Sequence, residues 1–373
     1  MSSSRTVAPA VSHQQVRFCT TGDGVRIAYA TSGSGPPLVR VSGWLTGLEH
    51  DWQCAVSRPW LTELSLDHTL VRFDPRGSGL SDRSVQGLSL DDWVSDLEAV
   101  VDAAGLERFP LLGVGHGGAI AIAFAARHPE RVTRLVLFCS SVRGAFAPGA
   151  DPKSQRDARV MEQMLELAWS HDVPALRDAF VRLYVPEASH ERARELGDLQ
   201  RGTADRQQAR RLWQALNSLD VSVTASRVQC PTLVAHAAED AVVPLEQGRV
   251  LAALIPTARL LTLEGRNHIL LDDEPAWQEF LVDLRRFLRG AGPGAPSGVG
   301  AFSGLTPREH EVLGLIARGY DNRTIAVVLD RSPKTVRNHI TSIFAKLDVG
   351  YRGQAIVMAR DAGLGTGERL SVA

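Results

Sequence analysis

Apolar residues along this chain of 373 fall into two rhythms. Short aliphatic runs at Val16–Thr20, Val25–Ala30, Leu38–Val41 and Leu70–Phe73 predict strands. Helical spacing then appears over Trp93–Ala104, a strand over Pro110–Val114, a helix over Ala119–Arg127 and a strand over Leu135–Phe138. Alternation of this kind predicts an α/β domain, a mostly parallel sheet wrapped by helices. Residues 143–226 break the rhythm, being charged and helical in pattern with no strong strand signal. Strands resume at Thr232–Ala235 and Leu260–Leu263, with helices at Leu245–Leu254 and Trp277–Leu288. The helical stretch, inserted between two core strands, is expected to form a cap over the carboxyl edge of the sheet, where such folds bind ligands.

The segment 290–304 (GAGPGAPSGVGAFSG) carries no charge and cannot pack a core, which predicts a flexible linker. It divides the chain into a disordered lead (1–15), a large domain (16–289, cap about 143–226), the linker, and a small C-terminal domain (305–373). Hydrophobic content of 44% and charged content of 22% are ordinary for a globular protein. Charge is mildly asymmetric: residues 304–373 hold ten Lys/Arg against seven Asp/Glu, and the remainder holds 31 against 35. That suits a nucleic-acid-binding tail without establishing one. The four cysteines, Cys19, Cys54, Cys139 and Cys230, have no paired spacing and read as free buried thiols. No His, Cys, Asp and Glu set has metal-ligand spacing, so neither a metal nor another cofactor is expected. No apolar run reaches the length of a membrane span, and Met1–Gln15 lacks the apolar core of a signal peptide. A cytoplasmic location is expected.

The stretch Leu111–Gly118 (LLGVGHGG) follows an apolar run and opens a helix of small residues. A strand–turn–helix of this kind houses the G-x-S-x-G elbow that lifts a serine hydroxyl above an α/β sheet. Here the flanking glycines are present, but position 115 is glycine. Residues 16–289 resemble the α/β-hydrolase family through DGVRIAYATSGSGPPLV, FDPRGSGLSD (73–82), GVGHGG, HPERV (128–132), AEDAVVP (238–244) and GRNHILLDD (265–273). The family's order of nucleophile, acid and histidine falls on Gly115, Asp240 and His268. The resemblance implies a general base and its orienting carboxylate with no hydroxyl to act on, so ordinary acyl-enzyme hydrolysis is not expected. By family position the oxyanion-hole amides are those of His116 and Trp44, although Ser42-Gly43 stands where the family often has His-Gly. The His116 side chain either enters the pocket or caps the neighbouring helix. FDPRGSGLSD lacks the Lys-Ser/Thr of a phosphate loop and reads as a structural turn, with Asp74 and Arg76 bonding backbone.

In the C-terminal domain, Thr306, Pro307 and Glu309 supply an N-cap, a first-turn proline and a capping-box acid. Val312, Leu313, Ile316 and Ala317 form an apolar stripe, Asp321 caps a second helix carrying Ile325, Ala326 and Leu329, and Ser332-Pro333 starts a third. Val336, Ile340, Ile343, Phe344 and Leu347 form that helix's buried face. Residues 305–364 resemble the LuxR-type helix-turn-helix domain through LTPREHEVLGLIARGYDNRTIA, SPKTVRNHITSIFAKL and the residues Val349, Arg352, Gln354 and Ala355. The resemblance implies Lys334, Arg337 and Asn338 near base edges, with Thr335, His339 and Lys346 nearer the phosphates. Two positions depart from the family: Arg331, usually apolar, and Thr324, commonly glutamate.

Together these readings imply a transcription regulator that binds double-stranded DNA, as a homodimer, and uses a disabled hydrolase domain to sense a small organic molecule. The ligand site is expected around Trp44, Gly115, His116, Asp240 and His268. Two alternatives remain open: a His268–Asp240 dyad acting directly as a base, and an inert dimerisation platform with constitutive DNA binding.

Overall fold

A computed structural model describes residues 14–170, 174–290 and most of 302–359. Nearly all of the expected lead and linker lie outside the described residues. Contacts divide the chain into two units, Met1–Leu288 and Arg289–Ala373.

The first unit opens with β1 (Gln15–Thr20), β2 (Arg26–Ser32), β3 (Pro37–Val41), α1 (Ser57–Asp67) and β4 (Thr69–Phe73). It continues with α2 (Leu90–Ala103), β5 (Phe109–Val114), α3 (Gly117–Arg127) and β6 (Val132–Phe138). Five helices come next: α4 (Pro152–Ser170), α5 (Pro174–Val181), α6 (His190–Thr203), α7 (Arg206–Asn217) and α8 (Ser222–Ala225). The unit closes with β7 (Thr232–Ala237), α9 (Leu245–Leu254), β8 (Ala258–Leu263) and α10 (Pro275–Leu288). The eight strands form one sheet in the order β1-β2-β4-β3-β5-β6-β7-β8. The β1–β2 and β2–β4 pairs are antiparallel and the rest are parallel.

Period-two alternation sends side chains into two cores, as a sheet covered on both faces requires. Val39, Val41, Leu111, Leu135 and Leu137 face one core with α2 and α3, and Leu38, Leu112, Val136 and Phe138 face the other with α1 and α10. Burying a side chain of this size contributes about 1.5–3 kcal/mol. Helix α1 was not expected from the pattern; its buried residues are Ser57, Trp60, Leu61 and Leu64, and it has no side-chain cap. Helix α2 begins earlier than expected because Ser89 and Asp92 form a capping box.

The 73–82 turn departs from expectation at one residue. Asp74 does bond backbone, accepting from the amides of Leu48 and Leu80 at 2.9 and 2.8 Å. Arg76 instead pairs with carboxylates, Asp96 at 2.8 Å and Asp23 at 2.7 Å, because a buried guanidinium needs counter-charge more than it needs a carbonyl. All four cysteines are free, and Cys19 is only half-buried.

In the second unit, α11 (Pro307–Ala317), α12 (Asn322–Val328) and α13 (Pro333–Leu347) enclose a core of Val312, Leu313, Ile316, Ile325, Val336, Ile340 and Ile343. The Thr306–Glu309 capping box is formed, and Asp321 caps α12. Glu309 also accepts from Ser342 and Lys346 at 2.7 Å each, tying α11 to α13.

Candidate ligand pocket and nucleic-acid interface

Gly115 ends β5 and its amide donates to Phe138 at 2.9 Å, which fixes the turn into α3. Its φ is +55°, a left-handed value that costs glycine nothing. A Cβ placed there would lie 3.3 Å from His268 Nε2 and meet no other side chain. Gly43 is required for a different reason, since a Cβ there would come within 2.5 Å of the His116 amide nitrogen. The β3 end and the β5–α3 turn therefore touch backbone to backbone. The amides of Trp44 and His116 donate no hydrogen bond to another described residue.

His268 follows β8 and is 6% exposed. Its Nδ1 lies 2.7 Å from Asp240 Oδ2. A carboxylate only accepts, so Nδ1 carries a proton, and Nε2 is the ring atom nearest the Cβ position of residue 115. The other Asp240 oxygen accepts from the amides of Val242 and Val243 at 2.8 and 3.0 Å. Burial pushes the Asp240 carboxyl up, but His268 and these two amides outweigh it and hold the group below the ordinary carboxylate range. From the helical insertion, the Tyr184 carbonyl accepts the His268 amide at 2.8 Å, and the two rings lie edge-on 5.7 Å apart. On the other side, Trp60 Nε1 donates to the Leu270 carbonyl at 3.0 Å. The histidine is thus positioned by the sheet, by α1 and by the insertion together.

The His116 side chain makes no helix-capping bond. It lines the cavity, with the Trp213 ring of α7 edge-on 6.2 Å away. Burial, then the neighbouring His268, lowers its pKa to about 4, so the ring is neutral. Trp213 also packs on Trp44, 5.3 Å between centroids. The cavity is about 50 Å³ and is lined by Arg40, Ser42, Trp44, Gly115, His116, Tyr184, Gln200 and His268, among others. A larger groove of about 460 Å³ lies between α5 and α6, is lined largely by charged residues and includes neither Gly115 nor His268. Of the expected pocket residues, Trp44, Gly115, His116 and His268 line the small cavity, with Asp240 directly behind His268.

Cys139, His236 and Asp240 approach within 4.8 Å of one another, a grouping that sequence spacing did not suggest. Two of the three already hold other partners, although His236 Nδ1 has none among the described residues. Asp240 is bonded as described, His236 Nε2 faces the Val243 carbonyl at 2.8 Å, and burial pushes the Cys139 thiol well up. A cation would have to break those bonds before it bound.

On α13, Lys334, Arg337 and Asn338 are exposed and share one face, opposite buried Val336, Ile340 and Ile343. Thr335 and His339 are half-buried, and the Thr335 hydroxyl lies 2.8 Å from that of Ser332. Lys346 is on Glu309, as described above. Arg331 is exposed, with its amide bonded to the Ala326 carbonyl.

Residues 36–275 match the family model of the alpha/beta hydrolase fold. The chain belongs to that family. Residues 303–359 match the model of bacterial regulatory proteins of the luxR family. The protein is therefore a transcriptional regulator in which a hydrolase-fold domain precedes a helix-turn-helix DNA-binding domain. Among relatives, pyrrolizixenacetamide deacetylase of Xenorhabdus hominickii is 30% identical over 272 residues, covering 70% of this chain and 94% of that protein. The 2-hydroxymuconate semialdehyde hydrolase of Pseudomonas sp. (strain CF600) is 30% identical over 242 residues, 64% of this chain and 82% of that one. The esterase RhEst1 from Rhodococcus sp. ECU1013 superposes with a TM-score of 0.61 at 26% identity, covering 74% of this chain and 99% of its own.

Within the hydrolase-fold domain, sequence reasoning passed over Arg40, Tyr184 and Gln200. Arg40 carried a signal, a lone charge inside the apolar run Leu38–Val41. Tyr184 and Gln200 carried none, since their place over the pocket depends on how the insertion docks. Among the described residues no helix is long and apolar enough to cross a membrane.

Proposed function

We propose that this regulator binds a small organic molecule in its hydrolase-fold domain, that the domain has lost acyl-enzyme catalysis, and that binding alters its grip on DNA. The reading rests on one observation above all. His268, held by Asp240, turns its free Nε2 toward a residue that has no side chain. Gly115 would then stand where hydrolases of this family carry their nucleophile. Loss of that group costs on the order of 10⁶ in turnover.

What remains is a binding site. The free amides of Trp44 and His116 suit a carbonyl, ester, lactone or acid oxygen, and Trp44 and Tyr184 supply apolar walls. Helices α4–α8 act as a cap whose Trp213 rests on Trp44 and His116. A ligand that overfills this cavity of about 50 Å³ pushes on Trp44 and His116, which line it, and so displaces the Trp213 ring that rests on them. The displacement gives the ligand unequal affinity for two states of the protein, without which it would switch nothing. The regulator acts in the cytoplasm as a homodimer on paired half-sites of double-stranded DNA, with Lys334, Arg337 and Asn338 toward the bases.

Native mass spectrometry of the full chain, incubated with acyl esters, lactones and cell extract, tests this reading. A stoichiometric intact adduct is expected; consumption of a pool member with release of product would contradict it. The intact His268–Asp240 geometry also favours a second reading, in which the dyad removes a proton from a substrate directly. Turnover abolished by His268→Ala would establish that alternative.

A further inference from the structure

Arg40 lies on β3, opposite Arg72 of β4 on one side and Leu112 of β5 on the other. Its side chain points into the face otherwise built from Leu38, Leu70, Leu112, Trp60 and Phe138. It is 6% exposed, and its guanidinium makes no hydrogen bond to any described residue; Nε and Nη1 are both fully buried and unsatisfied. Such a group is costly, because a buried donor without a partner forfeits its hydration and a buried charge forfeits far more.

The charges that act on Arg40 oppose one another. Asp51 attracts it, but Asp51 is itself paired to Arg72 at 2.5 Å, and Arg72 opposes Arg40. Burial, with Arg72, outweighs Asp51 and lowers the Arg40 pKa to about 10, so the group is still charged at neutral pH. One ring offers partial shelter, Trp60, with its centroid 5.8 Å from the guanidinium carbon. Arg40 is therefore a fixed, unpaired cation in the wall of the cavity that also contains Gly115 and His268.

We infer that the ligand of this domain is an organic acid whose carboxylate pairs with Arg40 beside Trp60, its remaining atoms extending toward Gly115 and His268. This inference rests on the ligand-binding reading above and narrows it. A carboxylate in the cavity would give this guanidinium the directly bonded counter-charge that no described residue supplies. Size agrees with a compact head group. A cavity of about 10–15 Å³ holds one water and about 150 Å³ holds benzene, so about 50 Å³ admits a carboxylate with a short stem. A longer acid presses on Trp44 and His116, the lining residues on which Trp213 rests, which joins acid binding to cap movement. A neutral ester or lactone would leave Arg40 unpaired and is disfavoured.

The test uses the full chain with three acids, acetate, butyrate and benzoate, and the shape-matched amides acetamide, butyramide and benzamide. Calorimetry should find at least one acid bound, with its amide at least about thirtyfold weaker. Arg40→Gln should erase that preference. Without ligand, Arg40→Gln should melt no lower than the wild type, since the arginine has no hydrogen-bond partner among the described residues to lose. Equal binding of acid and amide, acid binding that survives Arg40→Gln, or no binding of any acid would overturn the inference. A lower melting point in Arg40→Gln would do so as well, by making the arginine structural. A different result would sink the underlying reading while leaving the acid site intact: an acid bound through Arg40 with DNA affinity unchanged.

Discussion

Gly115→Ser returns one hydroxyl to the pocket and leaves the rest of the site unaltered. The structure sets both its cost and its benefit. At φ +55° an L-residue is strained by about 1–2 kcal/mol. That corresponds to a fall of roughly 2–8 °C in melting temperature for a domain of this size. The new Cβ would stand 3.3 Å from His268 Nε2, so the ring must retreat by a few tenths of an ångström. The hydroxyl then falls within hydrogen-bond reach of His268 Nε2. Removing the serine from a working triad costs about 10⁶ in rate. Restoring it in a pocket not shaped for turnover recovers only part of this, about 10² or more above the wild type. The assay is p-nitrophenyl acetate hydrolysis together with covalent labelling by a fluorophosphonate. Gly115→Ser should label and turn over, and the added substitution His268→Ala should abolish both. A folded Gly115→Ser protein that neither labels nor hydrolyses would refute the geometry, and a wild type that hydrolyses as fast would refute the loss of catalysis.

Three other outcomes follow from the same structure. His116 is held near pKa 4 against 6.5 in the unfolded chain, so between those values the unfolded chain takes up a proton that the folded chain does not. Its contribution to stability is present above pH 6.5 and falls as the pH drops, by up to about 3 kcal/mol at pH 4. Denaturant melts of wild type minus His116→Gln should show that slope; a flat difference would mean the ring is protonated in the fold. Arg337→Ala should cost about 1–3 kcal/mol on the preferred DNA site and little on random DNA; an equal loss on both would make Arg337 a phosphate contact. Lys346→Ala, which frees Glu309, should lower the melting temperature of the C-terminal domain as well as weaken DNA binding. Weaker DNA binding with unchanged melting would assign the lysine to DNA alone.

How much of this was readable in the sequence depended on whether a feature was local. The elbow was legible because its glycines answer to local needs, the left-handed turn at Gly115 and the close approach of Gly113 to Gly118. Asp240 and His268 were legible because each follows a strand end. The Thr306 capping box was legible because it spans only four residues. Helix α1 was not, since its apolar stripe is short and broken by Arg58, Thr62 and Glu63 and it lacks a capping side chain. Arg40 was passed over because one charge in a short strand reads as a solvent-facing position. Only the register with Arg72 and Leu112, and the packing of α1 above it, bury that charge. The side of the His116 ring was undecidable until α7 placed Trp213 against it.

The central claim is that occupancy of the pocket is reported to DNA. Fluorescence anisotropy of the full chain on a DNA fragment enriched from a random library measures this directly, with and without the molecule captured in native mass spectrometry. A change of about fivefold or more in Kd is expected when the pocket is saturated, with that molecule recovered intact. An unchanged Kd at saturation would contradict the account and leave the hydrolase-fold domain as an inert platform beside a constitutive DNA reader.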